Sequence, residues 1–178
     1  MKTILVDAVD AFVIEDDGVF KIFKEMHDLL ETFPNKKIVL TGANDEQFKK
    51  FGLDKMSYEV FTLKHNPEKT DPTYYQKMLE YFGLNKDDVI YFEHNPKAVE
   101  SAQSVGIKSY FYDNDKKDLE ALKEFLTENL WVMKIYFAAH ATTKDNEAKV
   151  ASGWSDIGLS DLGRKQAKEL GDTFKNFY

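Results

Sequence analysis

VIYFEHNPKAVESAQSVGIKSYFY (89–112) decides the fold. It holds two β-rich apolar runs, 89–92 and 108–112, and between them Ala98, Ala102 and Val105 recur at helical spacing. Two short strands joined through a helix read as a crossover unit, with both strands parallel in one sheet. The same alternation continues toward the N-terminus, where runs at 3–6, 37–40 and 58–61 have the length and composition of strands. Val19, Phe23, Met26, Leu30 and Phe33 fall on one face of a helix that Pro34 ends. Asn44 is placed to cap a short helix carrying Phe48 and Phe51, with Gly52 just beyond it. Asp71-Pro72 supplies the cap and first residue of a helix whose stripe is Tyr75, Met78, Leu79 and Phe82, and Gly83 stops it. Leu119, Leu122, Leu126 and Leu130 line a fifth helix. Five strands alternating with five helices predict an α/β fold: a doubly wound, Rossmann-like parallel five-stranded sheet with helices on both faces.

Composition narrows the classes of function. The 178 residues are 43% hydrophobic and 14% aromatic, enough to bury a core. With no cysteine, disulfides, a thiolate nucleophile and cysteine-ligated zinc or iron–sulfur are excluded. No apolar run approaches the roughly 20 residues of a membrane helix, and Asp7 interrupts the first one. The expectation is a cytoplasmic protein that does not associate with membranes. A net charge of −7 argues against nucleic acid as a partner.

In doubly wound sheets, ligands bind beyond the carboxyl ends of the strands. The polar residues just after the apolar runs are therefore the informative ones. They are Asp7 after the first run, Thr41-Gly42 after the second, and Glu93-His94-Asn95 after the fourth, with Lys69 just before the helix leading into that fourth run. Two carboxylates, a hydroxyl and a lysine at one edge suit a phosphate and a divalent cation. Asp7 is able to attack phosphorus, and Asp7 with Glu93 to share Mg²⁺. Plainer readings stand beside these: Asp7 as a turn residue, Thr41-Gly42 as a helix entry, Lys69 as a solvated side chain, His94 as a loop residue. His27 on a polar helix face and His65 in a charged loop are expected to face solvent.

LVDAVDAFV (5–13), VLTGAN (39–44), EKTDPTYY (68–75) and YFEHNPKAVESAQSVGI (91–107) resemble, in order, the four motifs of the haloacid dehalogenase-like hydrolases. The resemblance implies that Asp7 is the nucleophile and Lys69 the stabilising lysine. It makes Thr41 with Gly42 the phosphate-binding element and Glu93 a metal carboxylate. The short stretch between Asp7 and the first helix leaves no room for a large cap, which implies a capless member. Two departures stand out. The family's phosphatases place a second aspartate, the general acid/base, two residues after the nucleophile, where this chain has Val9. Asp10 falls one residue later, which on an extended segment turns a side chain to the other face. In the fourth motif an aspartate pair is replaced by Glu93-His94, which weakens the expected Mg²⁺ site.

The balance of charge changes near residue 131: residues 1–131 carry 17 Lys/Arg against 25 Asp/Glu, and residues 132–178 carry 7 against 6. The domain boundary is placed there, with a domain over 1–131 and a C-terminal strand-helix appendage over 132–178. MKIYFAAHATTKDNEAKVASGWSDIGLSDLGRKQAKELG (133–171) resembles the start of a histidine phosphatase of the phosphoglycerate mutase-like kind. His140 falls on that family's phospho-acceptor, Asn146 on its phosphate-contacting asparagine, and GWSD (153–156) on its loop. The arginine before the histidine is Ala139 here, which removes a bidentate phosphate clamp. The chain ends at Tyr178, where the family continues, so an incomplete βα unit without catalysis is expected. Its strand at 132–137 is expected to pair with a sheet edge, pack on the first domain, or join a second copy as a homo-oligomer. Leu162, Ala167, Leu170 and Phe174 of the following helix would cover it.

The leading functional expectation is a phosphohydrolase acting on a small phosphorylated metabolite through an aspartyl-phosphate with Mg²⁺. The alternative is a degenerate, non-catalytic phosphate-binding or assembly module, favoured by Val9 and Ala139. A response-regulator receiver shares the sheet type but would carry its phospho-acceptor aspartate after the third strand.

Overall fold

A computed structural model describes residues 1–130, 140–151, 153 and 156–174 of the chain. The expected strand at 132–137 and the Trp154-Ser155 part of the GWSD loop lie outside these residues. The chain divides into two compact units, Met1–Val132 and Met133–Tyr178. Among the described residues, no helix is long and apolar enough to cross a membrane.

In the first unit the order is β1 (Thr3–Asp7), β2 (Val13–Asp16), β3 (Val19–Ile22), α1 (Lys24–Glu31), β4 (Lys37–Thr41), α2 (Asp45–Lys50), β5 (Glu59–Thr62), α3 (Pro72–Phe82), β6 (Val89–Glu93), α4 (Pro96–Ser104), β7 (Lys108–Phe111) and α5 (Leu119–Leu130). Five strands form one sheet in the order β5-β4-β1-β6-β7, all parallel. This is the α/β, Rossmann-like architecture that the alternating periods predict. All five residues of β1 are buried, as a central strand covered on both faces requires.

The two-residue period of β1 divides the core. Ile4 and Val6 point to one face, where they join Met26 and Leu30 of α1 and Leu122 and Leu126 of α5. Leu5 points to the other and joins Tyr74, Tyr75 and Met78 of α3 and Ala102 of α4. Each such fully buried Leu, Ile or Met contributes about 1.5–3 kcal/mol relative to exposure. The expected caps are present. Asn44 accepts from Glu46 and Gln47 N–H at the start of α2, Asp71 accepts from Thr73 N–H at the start of α3, and Gly83 ends α3 at φ 61°.

One expectation fails at the first helix. Val19 and Phe23 match a helical pitch, but Val19–Ile22 is β3, paired antiparallel with β2, and Val19 is 64% exposed. Asp17 and Gly18, at φ 50° and 78°, form the tight turn between these strands. An Asp-Gly pair between β-rich runs is a hairpin signal, because both residues tolerate positive φ. The helix therefore starts at Lys24 and buries only Met26 and Leu30 of the expected face, while Phe33 is buried just beyond its end. In α3, Tyr74 is buried where Leu79 and Phe82 are only partly so.

In the second unit, α6 (Lys144–Glu147) and α7 (Asp161–Phe174) are joined by a loop, and Thr143 bridges Leu159. Gly163 permits a close approach at the first turn of α7: a Cβ there would lie 1.9 Å from the Thr142 carbonyl oxygen. Thr142 also donates, from its N–H and hydroxyl, to Gln166 Oε1 at 3.0 and 2.8 Å. The strand that this helix is expected to cover lies outside the described residues. Leu162 is 50% and Leu170 41% exposed, and Ala167 is exposed as well. The Phe174 side chain lies outside the described residues.

Candidate active site

The three middle strands of the sheet bring their carboxyl ends together. Register sets Asp7 of β1 opposite Leu40 of β4, and Val6 opposite Phe92 of β6, so Thr41 and Glu93 each lie one step beyond. Asp7 and Glu93 are fully buried and Thr41 nearly so. Lys69 comes from the loop between β5 and α3. Its ammonium donates to Asp7 Oδ1 and, at 2.6 Å, to Glu93 Oε2. An ammonium has three donors, so one proton of Lys69 remains for another acceptor.

The remaining carboxylate oxygens meet His94. Its Nδ1 contacts Asp7 Oδ2 and lies 3.1 Å from Glu93 Oε1, and its backbone N–H is 3.4 Å from Asp7 Oδ2. Glu93 is held further by the Tyr91 hydroxyl, which donates to Oε2, and by Asn95 N–H, which donates to Oε1 at 2.9 Å. Asn95 then caps α4 through Lys97 N–H, which ties this corner to the start of a helix.

Two acids and two bases in one buried cluster set each other's charge. Burial and the Glu93 charge push the Asp7 carboxyl up, against the pull of Lys69 and His94. For Glu93, burial acts in the same direction, but Lys69, His94 and Tyr91 more than offset it and hold its carboxyl well below the usual range. The Lys69 charge is opposed by burial and supported more strongly by the two carboxylates, so the lysine stays protonated. Hydrogen bonds to Asp7 and then Glu93 push His94 up to about 10, so its ring is an imidazolium at neutral pH.

Above the cluster is a cleft of about 220 Å³ lined by Asp7, Val9, Thr41, Gly42, Lys69 and His94. Thr41 Oγ1 accepts from Ala43 N–H at 3.1 Å, which leaves its hydroxyl proton free. Tyr74 donates to the Thr41 carbonyl at 2.7 Å and fixes the end of β4. Val9 stands in the cleft where a second carboxyl was sought. Asp10 has φ 66°, a left-handed turn that asparagine and aspartate tolerate, and its Oδ2 comes within 3.8 Å of His94 Nε2. It thus borders the cluster through His94, although its side chain is largely exposed.

The cleft has further walls that no strand end marks. Gln47, His65 and Glu68 line its Gly42 side. His65 Nδ1 pairs with Glu68 Oε1 at 2.8 Å and Nε2 with Gln47 Oε1 at 2.5 Å. A Cβ at Gly42 would lie 3.2 Å from the ring and 3.1 Å from Glu68, so the glycine lets this group sit close. His65 is exposed, as expected, and it also borders the cleft; no local pattern marks this, because Lys64 and His65 both have positive φ. His27, expected to face solvent, is instead half-buried, stacked on Tyr58 with ring centres 5.8 Å apart.

In the second unit the candidates are not gathered. His140 is exposed and its ring N–H donates to the neighbouring Ala141 carbonyl. Asn146 is taken up in a cap, its Oδ1 accepting from Thr143 N–H and Oγ1 at 3.0 and 2.9 Å.

The donor chemistry suits a cation. Asp7, Glu93 and His94 each offer one ligand atom, all within 4.8 Å of one another, and buried carboxylate oxygens are hard donors.

The sequence profile of the histidine phosphatase superfamily (branch 1) matches residues 135–178. No curated protein matches the chain significantly in sequence. Solved structures share the fold. A haloacid dehalogenase family enzyme from Bacteroides thetaiotaomicron, an aspartate-to-alanine mutant in complex with magnesium and inorganic phosphate, is 12% identical over 64% of this chain and 95% of its own, with a TM-score of 0.54. An uncharacterized protein from Listeria monocytogenes is 13% identical over 74% and 100%, with a TM-score of 0.56. Another from Corynebacterium glutamicum is 12% identical over 76% and 99%, with a TM-score of 0.50. The profile of the haloacid dehalogenase-like hydrolases matches residues 14–112, a span that includes Thr41, Lys69 and Glu93 and begins after Asp7. That span is more than half of the sequence, and the chain belongs to the haloacid dehalogenase-like hydrolase family.

Proposed function

We propose that the cleft binds a small phosphorylated molecule and that Asp7 takes its phosphoryl group as an aspartyl-phosphate, which water then hydrolyses. The observation that carries this reading is the cluster itself. A buried carboxylate at the floor of an open cleft is flanked by a free hydroxyl proton on Thr41 and a spare ammonium proton on Lys69. In this reading the two donors take phosphoryl oxygens and balance the charge that develops as Asp7 approaches phosphorus. The bond from Asp7 oxygen to phosphorus forms while the ester P–O bond breaks, and the departing oxygen carries the electron pair.

Asp7 and Glu93 would hold Mg²⁺, the ion present with phosphate in the Bacteroides thetaiotaomicron enzyme of the same fold. When bound, it would polarise the phosphoryl oxygens and screen the two carboxylates from the substrate's charge. Val9 offers no proton to the leaving group. Losing a general acid costs about 10²–10⁴ in rate, so substrates with acidic leaving groups, such as aryl or acyl phosphates, are the class served best.

Val9 also favours a second reading, a phosphate-binding module that does not turn over. Hydrolysis of an aryl phosphate with Mg²⁺, by the wild type and by Asp7→Asn, separates the two. Turnover lost in the variant supports the enzyme. Equal turnover in both removes Asp7 from the chemistry. Binding of inorganic phosphate without turnover in either protein supports the module.

A further inference from the structure

We infer that Gln47, His65 and Glu68 form a subsite for the part of the substrate that leaves, and that this subsite takes hydroxyl groups. The class that fits is an acyl or aryl phosphate whose released acid or phenol carries hydroxyls along its chain or ring. This rests on the reading that the phosphoryl group sits at Asp7, and it names what is attached to that group.

The subsite is continuous with the phosphoryl end of the cleft. Gln47, His65 and Glu68 line the same cavity as Asp7, Thr41 and Lys69. Glu68 and Lys69 are neighbours in the loop before α3. Lys69 donates to Asp7, whereas Glu68 lies over Gly42, the residue after Thr41. Glu68 Oε2 is 3.1 Å from where a Cβ on Gly42 would stand, so the glycine lets this carboxylate sit beside the phosphoryl end. A chain that leaves Asp7 along Gly42 therefore passes Glu68, and Val9 and Phe51 supply apolar walls to the same cavity.

Hydrogen bonding decides what this wall accepts, because a few fixed polar groups set the orientation of a ligand in a cleft. His65 ties the wall together, with Nδ1 at 2.8 Å from Glu68 Oε1 and Nε2 at 2.5 Å from Gln47 Oε1. Asn44 N–H donates to the same Gln47 oxygen at 3.0 Å, which fixes the amide. Two kinds of group stay open among the described residues: Glu68 Oε2, an acceptor, and the Gln47 Nε2 protons, which are donors. A hydroxyl both donates and accepts, so hydroxyls on the substrate satisfy both. A second anionic group would find no cation of its own. Among the described residues Lys69 is the one lysine or arginine lining the cavity, and it is engaged by Asp7 and Glu93. Lys64, beside His65, pairs with Asp45 at 2.7 Å.

The test compares two four-carbon phosphates that differ in their hydroxyls, erythritol 4-phosphate and n-butyl phosphate. Both are alkyl esters with poor leaving groups, so calorimetric titration of the full chain in MgCl₂ reads binding. Erythritol 4-phosphate is expected to bind at least about tenfold more tightly, because a site built for hydroxyls rejects the analogue without them. Gln47→Glu keeps an oxygen for Asn44 N–H and His65 and removes the donors. Glu68→Gln keeps an oxygen for His65 and removes the carboxylate. Each is expected to lose most of the preference, and the ratio between the two ligands cancels any effect on the phosphoryl end. Equal binding of the two by the wild type, or of neither while inorganic phosphate binds, overturns the subsite and leaves the Asp7 reading standing. That measurement needs no variant to fold. Tighter binding of 2-aminoethyl phosphate than of erythritol 4-phosphate overturns the hydroxyl assignment in favour of an ammonium. An unchanged ratio in both folded variants overturns the inference too. Failure of inorganic phosphate and both esters to bind the wild type overturns the Asp7 reading and this inference with it.

Discussion

Asp7 and His140 each follow an apolar run in a stretch of phosphatase-like sequence, yet their surroundings differ. Asp7 is fully buried, with Lys69, Glu93 and His94 on its oxygens, each brought from a distant part of the chain. His140 is exposed, its ring bonded to the next residue, and Asn146 is spent on a helix cap. A strand-end residue acquires reactive surroundings only when neighbouring strands and loops deliver partners to it. In the first unit, β4 and β6 flank β1 and do so. Among the described residues of the second unit, His140 bonds only to its neighbour Ala141, and Asn146 closes a cap within its own turn.

The sharpest way to break this comparison is to remove the shared cation. Lys69→Met leaves two buried carboxylates with His94 as their one remaining cation among the described residues, and urea unfolding should show a loss of about 3–5 kcal/mol. A loss below about 1 kcal/mol would mean the cluster is not interlocked. Next, packing should separate the two units. Leu126→Ala in α5 opens a cavity in a closed core and should cost about 2–5 kcal/mol, while Leu170→Ala in α7, already 41% exposed, should cost well under that. Comparable losses would show that α7 is covered in solution.

Glycines sharpen the description of the second unit. Gly163→Ala sets a methyl against the Thr142 carbonyl and should cost about 1–3 kcal/mol, visible as lost helicity and faster amide exchange in α7. Gly171→Ala, with open space around it in the same helix, should stabilise by about 0.5–1 kcal/mol. The smallest effect is expected at His140→Ala, within about 0.5 kcal/mol of the wild type and without change in aryl phosphate turnover. A loss of turnover there would show that the second unit contributes to the chemistry.

Much of the fold was legible because its signals are local. The β-rich runs, the caps at Asn44 and Asp71 and the stop at Gly83 each depend on residues within a turn or two. The miss at Val19–Ile22 came from a coincidence of pitch. Val19 and Phe23 are four apart, as on a helix, and the Asp17-Gly18 turn that assigns Val19 to a hairpin was passed over. In the candidate site, Asp7, Thr41, Lys69 and Glu93 could be named because strand ends and motif order both point to them. His65, Tyr91 and the contact of Asp10 with His94 could not. His65 and Asp10 lie on left-handed backbone, which leaves no periodic mark, whereas Tyr91 stands two residues before Glu93 on the same face of β6, a spacing that only its buried contact makes meaningful.

Taken alone, the sequence determined the alternation of strands and helices, the parallel sheet that follows from it, and which side chains end at the carboxyl edge. These depend on hydrophobic period and turn chemistry, which act over a few residues. Only the tertiary structure decided how charge is shared at that edge. Whether Asp7 faces an ion, a lysine or an imidazole depends on where residues 62 and 87 positions away in the chain come to rest. Burial then fixes the outcome, because in a water-poor cluster each charge must find its partner within a few ångströms.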